Sequence, residues 1–222
     1  MSDAATSTSD TAQPAPVRVL AVDTSPHLND QSITTRGMMR DVLIALAPAM
    51  VAAIAFFGLD ALRVLLITVF ACLAAEWLLG RLLARRYDLF DGSAAITGVI
   101  LGLSLPWSAP WWLCVLGALA GIGLGKMLFG GLGYNIFNPA MVGRAFVMLS
   151  FAGFLGAPAY LASSDQLPAI VSQATPLTVA REALTAIEQP TLAGFGDLFL
   201  GGVNGSLGET SALALLLGGI YL

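Results

Sequence analysis

Residues 41–58 read Asp-Val-Leu-Ile-Ala-Leu-Ala-Pro-Ala-Met-Val-Ala-Ala-Ile-Ala-Phe-Phe-Gly, a run that is almost entirely apolar. At about 1.5 Å per residue, a helix of this length crosses most of a hydrocarbon core of roughly 30 Å. The whole chain of 222 residues is 57% hydrophobic and only 11% charged, whereas soluble domains carry about 25% charged residues. We therefore expect an all-α, polytopic membrane protein, with the lipid bilayer as a partner and no nucleic-acid surface.

Further apolar runs follow after a turn at Gly58, and they cover 64–80, 93–105, 111–129, 140–155 and 210–222. The run 93–105 ends at Pro106 and is too short to span a membrane alone. The expected organisation is a flexible cytoplasmic tail (1–36), a first transmembrane repeat (37–157), an extracytoplasmic loop (158–208) and the start of a second transmembrane repeat (209–222).

The basic residues predict the orientation of these runs. If every run crosses the membrane, seven of them fall on one side: Arg36, Arg40, Arg81, Arg85, Arg86, Lys126 and Arg144. Because cytoplasmic loops carry an excess of Lys and Arg, this side is expected to be cytoplasmic. The loop that contains Thr175 then lies outside the cytoplasm, and Arg63 is a single exception.

Two short apolar segments suggest an internal repeat. Gly92 and Gly102 can be aligned with Gly208 and Gly218, and such segments in matching halves are typical of inverted-repeat folds with broken helices. Chance similarity between two apolar helices explains the matches equally well. Because the final run 210–222 is too short to cross a bilayer, we expect the chain to hold one repeat plus the start of a second.

The break at residues 130–139 contains Gly130, Gly131, Asn135 and Asn138, followed by Pro139. Irregular backbone at membrane depth is tolerated only when it is buried or lines a cavity. The asparagine amides could bind a ligand or coordinate an ion, and Asn138 could simply cap the next helix with Pro139 in its first turn. These roles are not exclusive.

Four charged residues lie near the expected membrane. Glu76 is expected either to serve an ion pathway, to extend to the surface, or to meet Arg81 or Lys126. Lys126 and Arg144 are expected to anchor at lipid headgroups, and Glu209 to lie at a helix N-terminus. Cys72 and Cys114 lie in apolar runs and are expected to be buried free thiols. His27 is the single histidine and cannot form a His-based metal site alone. We assign no catalytic residue and no metal ligand.

Five motifs occur in order: Asp91-Gly92-Ser93, Phe-Gly-Gly-Leu-Gly-Tyr-Asn-Ile-Phe-Asn-Pro-Ala at 129–140, Gly-Arg-Ala-Phe at 143–146, Ser-Gln-Ala-Thr-Pro-Leu at 172–177 and Gly-Ser-Leu-Gly-Glu-Thr-Ser-Ala at 205–212. Together they resemble the NqrB/RnfD membrane flavoproteins, and the short N-terminal tail resembles the RnfD branch of that family, found in Rnf complexes. The resemblance implies about ten helices in two inverted repeats. It also implies a component of a bacterial inner-membrane complex that couples electron transfer between ferredoxin and NAD to Na⁺ or H⁺ translocation.

The same resemblance implies FMN joined by a phosphoester to Thr175, with Ser172 and Ala174 as motif neighbours. A second, noncovalent flavin could then bind at the break that holds Gly130, Gly131, Asn135 and Asn138. A flavin transferase working outside the cytoplasm would attach the FMN at Thr175, and other Rnf-type subunits would be partners. The usual transferase signature has Asp and Gly where this chain has Ala169 and Gln173. Two other classes stay open: a channel of the urea, ammonium or aquaporin type, suggested by Asn138-Pro139-Ala140, and a structural scaffold subunit.

Overall fold

The computed structural model describes residues 34–83, 91–155, 195–201, 205–209 and 211–222. The helices in these ranges are α1 (Thr35–Leu82), α2 (Ser93–Ser104), α3 (Trp111–Ala120, continued by a π-helix, Gly121–Met127), α4 (Pro139–Ser150), α5 (Ala152–Leu155), α6 (Phe195–Leu200) and α7 (Ala212–Tyr221). Within the described ranges there is no β-strand. The expected all-α fold is confirmed.

Helix α1 folds back on itself at Gly58. A straight helix of 48 residues would be about 72 Å long and would hold Met39 and Glu76 about 55 Å apart. Instead, Met39 lies against Gly92, where an added Cβ would be 3.4 Å from the Met39 Cβ. Glu76 is joined through Lys126 to Ser93, the residue after Gly92. Gly58 makes this reversal with φ 64° and ψ −141°, a conformation open mainly to glycine. The turn predicted here is confirmed.

Helix α1 is the one helix of the described residues that is both long and apolar enough to cross a membrane. Each of its two arms holds more than 20 residues, and this number suffices for a crossing. Large apolar side chains remain exposed on several helices, among them Val51, Phe70, Leu149 and Ile220. Such outward apolar surface fits contact with lipid.

Glycines allow the helices to pack closely. A Cβ on Gly98 of α2 would lie 2.5 Å from the Val69 Cα of α1, and one on Gly121 would lie 2.7 Å from the Pro139 oxygen. Gly218 of α7 packs in the same way on the Ala45 carbonyl of α1. Backbone-to-backbone contact at small residues is the usual packing mode between membrane helices.

The two copies of the expected repeat begin differently. Helix α2 starts directly after Gly92, whereas α7 starts at Ala212 with Ser211 as its cap, several residues after Gly208. The inverted repeat and the loop at 158–208 stay predictions, since residues 156–194 lie outside the described ranges.

Candidate functional site

A buried ion pair joins α1 to the π-helical end of α3. Lys126 Nζ lies 2.5 Å from Glu76 Oε1, and each side chain is only 2% exposed. The predicted contact of Glu76 with Lys126 is confirmed, and its extension to the surface is wrong. Arg81, the other partner considered, lies over the Trp77 ring at 4.6 Å.

The expectation that Lys126 anchors at lipid headgroups is also wrong. Lys126 is in the last turn of the π-helix and is directed between α1 and α2, where it meets Glu76 and the Ser93 hydroxyl. A buried ammonium is costly unless it is paired and hydrogen-bonded. Because these partners compensate its charge inside the bundle, the Lys126 ammonium does not extend to a lipid headgroup.

A polar chain continues from this pair toward the start of α2. Lys126 Nζ donates to Ser93 Oγ, and Ser93 donates from its hydroxyl and its backbone N–H to Asp91 Oδ1, at 2.7 and 2.8 Å. Gly92, with φ 82°, forms the turn between these two residues. Sequence reasoning singled out the Asp-Gly-Ser motif but not its link to Lys126.

A half-open cleft of about 190 Å³ lies beside this chain. Its polar lining consists of Lys126, Ser93, Thr97 and the two asparagines of the glycine-rich break, Asn135 and Asn138, and apolar side chains form the rest of the wall. The Asn135 Oδ1 atom is buried and has no hydrogen-bond partner. Both asparagines thus lie at the cleft, and the cavity role of the break stays a prediction.

The two glycines of the break that were singled out shape its turn and do not line the cleft. Gly130 and Gly131 have φ of 119° and 101°, in the region that favours glycine. Asn138 caps α4 as predicted: its side-chain oxygen accepts from the Ala140 N–H at 3.0 Å, and Pro139 is the first helical residue.

A second ion pair links α4 to the segment before α7. Arg144 lies 3.7 Å from Glu209, and its side chain is 32% exposed. Arg144 is in the second turn of α4 and pairs with Glu209 rather than anchoring at a helix end. Glu209 precedes the N-terminus of α7, where the Ser211 hydroxyl accepts from the Ala214 N–H.

The predictions for the two cysteines and for the flavin-attachment residues remain to be compared with the structure. Cys72 and Cys114 are free and fully buried, as expected. The flavin-attachment residues Ser172, Ala174 and Thr175 lie outside the described residues. No cluster of metal-ligating side chains occurs in the part of the chain that the structure describes.

These features define a helical membrane protein with a charged network inside its bundle and a cleft beside that network. The sequence matches the model of the NQR2, RnfD, RnfE family over residues 21–222, and the chain belongs to that family. It is 42% identical to the D subunit of the Na⁺-translocating ferredoxin:NAD⁺ oxidoreductase complex of Acetobacterium woodii. The match extends over 205 residues and covers 91% of this chain and 62% of the relative.

Two further relatives have similar names. The chain is 35% identical over 213 residues to the D subunit of the proton-translocating ferredoxin:NAD⁺ oxidoreductase complex of Clostridium ljungdahlii, and the match covers 92% of this chain and 62% of the relative. It is 40% identical over 215 residues to the D subunit of the ion-translocating oxidoreductase complex of Halorhodospira halophila, covering 83% and 59%. The chain spans about three fifths of the length of these relatives.

Proposed function

We propose that this chain acts as part of the RnfD component of an Rnf-type complex, which couples electron transfer between ferredoxin and NAD to ion translocation. The observation that carries the proposal is the 42% identity to a ferredoxin:NAD⁺ oxidoreductase subunit across 91% of the chain. Other Rnf-type subunits are then its partners, and the bacterial inner membrane is its location. Since one relative is named for Na⁺ and another for protons, the ion is left unassigned.

The redox group of the proposed subunit is FMN, attached through its phosphate to Thr175. FMN supplies one- and two-electron transfer, and the protein supplies its position and electrostatic surroundings. Pro176 biases Thr175 toward an extended backbone, which would present the hydroxyl to a transferase. The distribution of basic residues supports a multi-pass topology with this loop outside the cytoplasm.

The cleft beside Lys126 is the proposed place for a second, noncovalent flavin. Its walls are mostly apolar, and Lys126, Ser93, Thr97, Asn135 and Asn138 supply polar groups. Pockets of this composition, apolar with a few polar groups, are typical of cofactor sites. The residues of this chain would orient the ring and exclude water from it.

The test of the Thr175 proposal is the mass of the tryptic peptide 145–181, from protein produced together with a flavin transferase. We expect the mass added by FMN in the unaltered chain and in Thr178→Ala, and no added mass in Thr175→Ala. Thr178 is the matched control because it lies three residues away in the same peptide. An unmodified peptide in the unaltered chain rejects covalent FMN at Thr175.

A further inference from the structure

One end of helix α1 carries a group of arginines. Because α1 folds back on itself, its first turns and its last turn lie at the same end. Arg36, Arg40 and Arg81 are therefore all at this end, and all three are exposed. Arg85 and Arg86 follow shortly after in the sequence. The positive-inside rule assigns this end to the cytoplasmic side of the membrane.

Arg81 differs from the other arginines in what it contacts. Arg40, Arg63 and Arg144 each lie near a carboxylate, at 3.7, 3.5 and 3.7 Å. The Arg81 guanidinium carbon instead lies 4.6 Å from the centre of the Trp77 ring. Within the part of the chain that the structure describes, Arg81 has no ion pair. The N–H donors of this guanidinium are therefore open to an acceptor from outside.

The Arg81 side chain is directed back along the helix. Trp77 lies one turn earlier in α1, so the guanidinium lies on the side of Arg81 that faces the membrane centre. A charged side chain at the end of a membrane helix usually extends the other way, toward water. Indole rings lie at the level of the lipid headgroups, and Trp77 is exposed. The guanidinium is thus held on an outward surface at the depth of lipid phosphates.

The surface next to this pair is apolar. Leu78 and Leu82 are exposed in the adjacent stripe of the helix. An anionic lipid matches both parts of the surface, because its phosphate can accept two parallel N–H bonds from an arginine and its acyl chains can cover the leucines. An acidic protein segment in water would match the charge alone. The combination of charge and apolar surface therefore favours a lipid.

We propose that Trp77 and Arg81 form a docking site for an anionic phospholipid of the cytoplasmic leaflet. The lipid phosphate binds the guanidinium, which the indole ring holds in place, and the acyl chains lie along Leu78 and Leu82. Anionic lipids of this leaflet attract basic residues next to membrane helices. The bound lipid stabilises the last turns of the helix arm that carries Glu76. This site does not depend on the proposed flavins or on electron transfer.

The test is the dissociation constant of phosphatidylglycerol and of phosphatidylcholine, measured by native mass spectrometry on the chain in detergent. The unaltered chain is expected to bind phosphatidylglycerol more tightly. Arg81→Gln is expected to weaken the first phosphatidylglycerol binding step about fivefold, which corresponds to about 1 kcal/mol for one basic group near an anionic surface. Arg63→Gln is the matched control with unaltered binding, because Arg63 is a half-exposed arginine at the other end of the same arm.

A second pair of variants examines the ring beneath the guanidinium. Trp77→Leu is expected to weaken phosphatidylglycerol binding severalfold, whereas Trp77→Phe keeps an aromatic face and the binding. Trp77 and Arg81 are on the surface, so these variants are expected to fold. Protection of the buried Cys72 and Cys114 from a thiol reagent checks this for each variant.

Three results would overturn the proposal. If Arg81→Gln binds phosphatidylglycerol as tightly as the unaltered chain, Arg81 is not a lipid site, and an acidic segment of a protein partner becomes the better occupant. If Arg63→Gln weakens binding by the same factor, the lipid responds to net charge and not to a site. If the unaltered chain binds phosphatidylcholine as tightly as phosphatidylglycerol, the surface has no preference for an anionic lipid.

Discussion

Lys126 Nζ and Glu76 Oε1 lie 2.5 Å apart, although 50 residues separate them in the sequence. The contact fixes the end of α3 against the second arm of α1, and Ser93 brings the start of α2 to the same point. Three helices thus meet at one buried charge pair. Because neither charge reaches water, the stability of the bundle depends on both being present.

Glu76→Gln and Lys126→Met are each expected to lower the free energy of unfolding by about 3–5 kcal/mol, because each leaves an uncompensated buried charge. The double variant Glu76→Gln/Lys126→Met is expected to regain most of this loss, since it removes both charges. Unfolding in a denaturant titration can be followed with a thiol-reactive fluorophore, because Cys72 and Cys114 are buried and free in the native state. Additive losses in the double variant would show that the two residues do not act as a pair.

Gly218→Ala is expected to destabilise the protein by about 1–3 kcal/mol, because overpacking a tight contact costs this much. The added methyl group would collide with the Ala45 carbonyl of α1. Gly219→Ala is the matched control on the same helix, since a Cβ there meets nothing within 4 Å. The same fluorophore assay compares the two variants. Equal stabilities would mean that α7 does not pack closely on α1.

Asn138→Ala is expected to cost about 1 kcal/mol, because it removes the side-chain acceptor for the Ala140 N–H at the start of α4. Asn138→Asp keeps an oxygen in the same place and is expected to be nearly neutral. Denaturant titration of both variants checks this. A larger loss in Asn138→Asp than in Asn138→Ala would exclude capping as the main role of the residue.

Features that depend on neighbouring residues were predictable from the sequence. The turn at Gly58, the short helix α2 that ends before Pro106, and the cap at Asn138 each follow from local glycine, proline or asparagine chemistry. They need no knowledge of distant contacts. For this reason the apolar runs and the break between α3 and α4 were placed correctly.

The direction of the charged side chains was not predictable in the same way. The sequence places Lys126 near the end of an apolar run, where a headgroup contact is the usual outcome. Lys126 instead lies inside the bundle for two reasons that the local sequence does not show. The end of α3 is a π-helix, and Glu76 of α1 and Ser93 of α2 lie next to it. Likewise, Arg144 and Glu209 meet only because distant segments pack together.

The proposed topology can be tested with two added cysteines, Ser164→Cys in the loop with Thr175 and Arg85→Cys between α1 and α2. A membrane-impermeant maleimide added to intact cells is expected to label position 164 and not position 85, because basic residues are retained on the cytoplasmic side. Lysed cells should give labelling at both positions. The two native cysteines contribute no background, since both are 0% exposed.

The reverse pattern, with position 85 labelled from outside, would place Thr175 in the cytoplasm. A transferase working outside the cytoplasm could not then reach it, and the proposed covalent FMN would lose its route of attachment. The family assignment would stand in that case, since it rests on similarity over residues 21–222. Flavin attachment therefore depends on this topology, whereas the paired charges of Glu76 and Lys126 are independent of both.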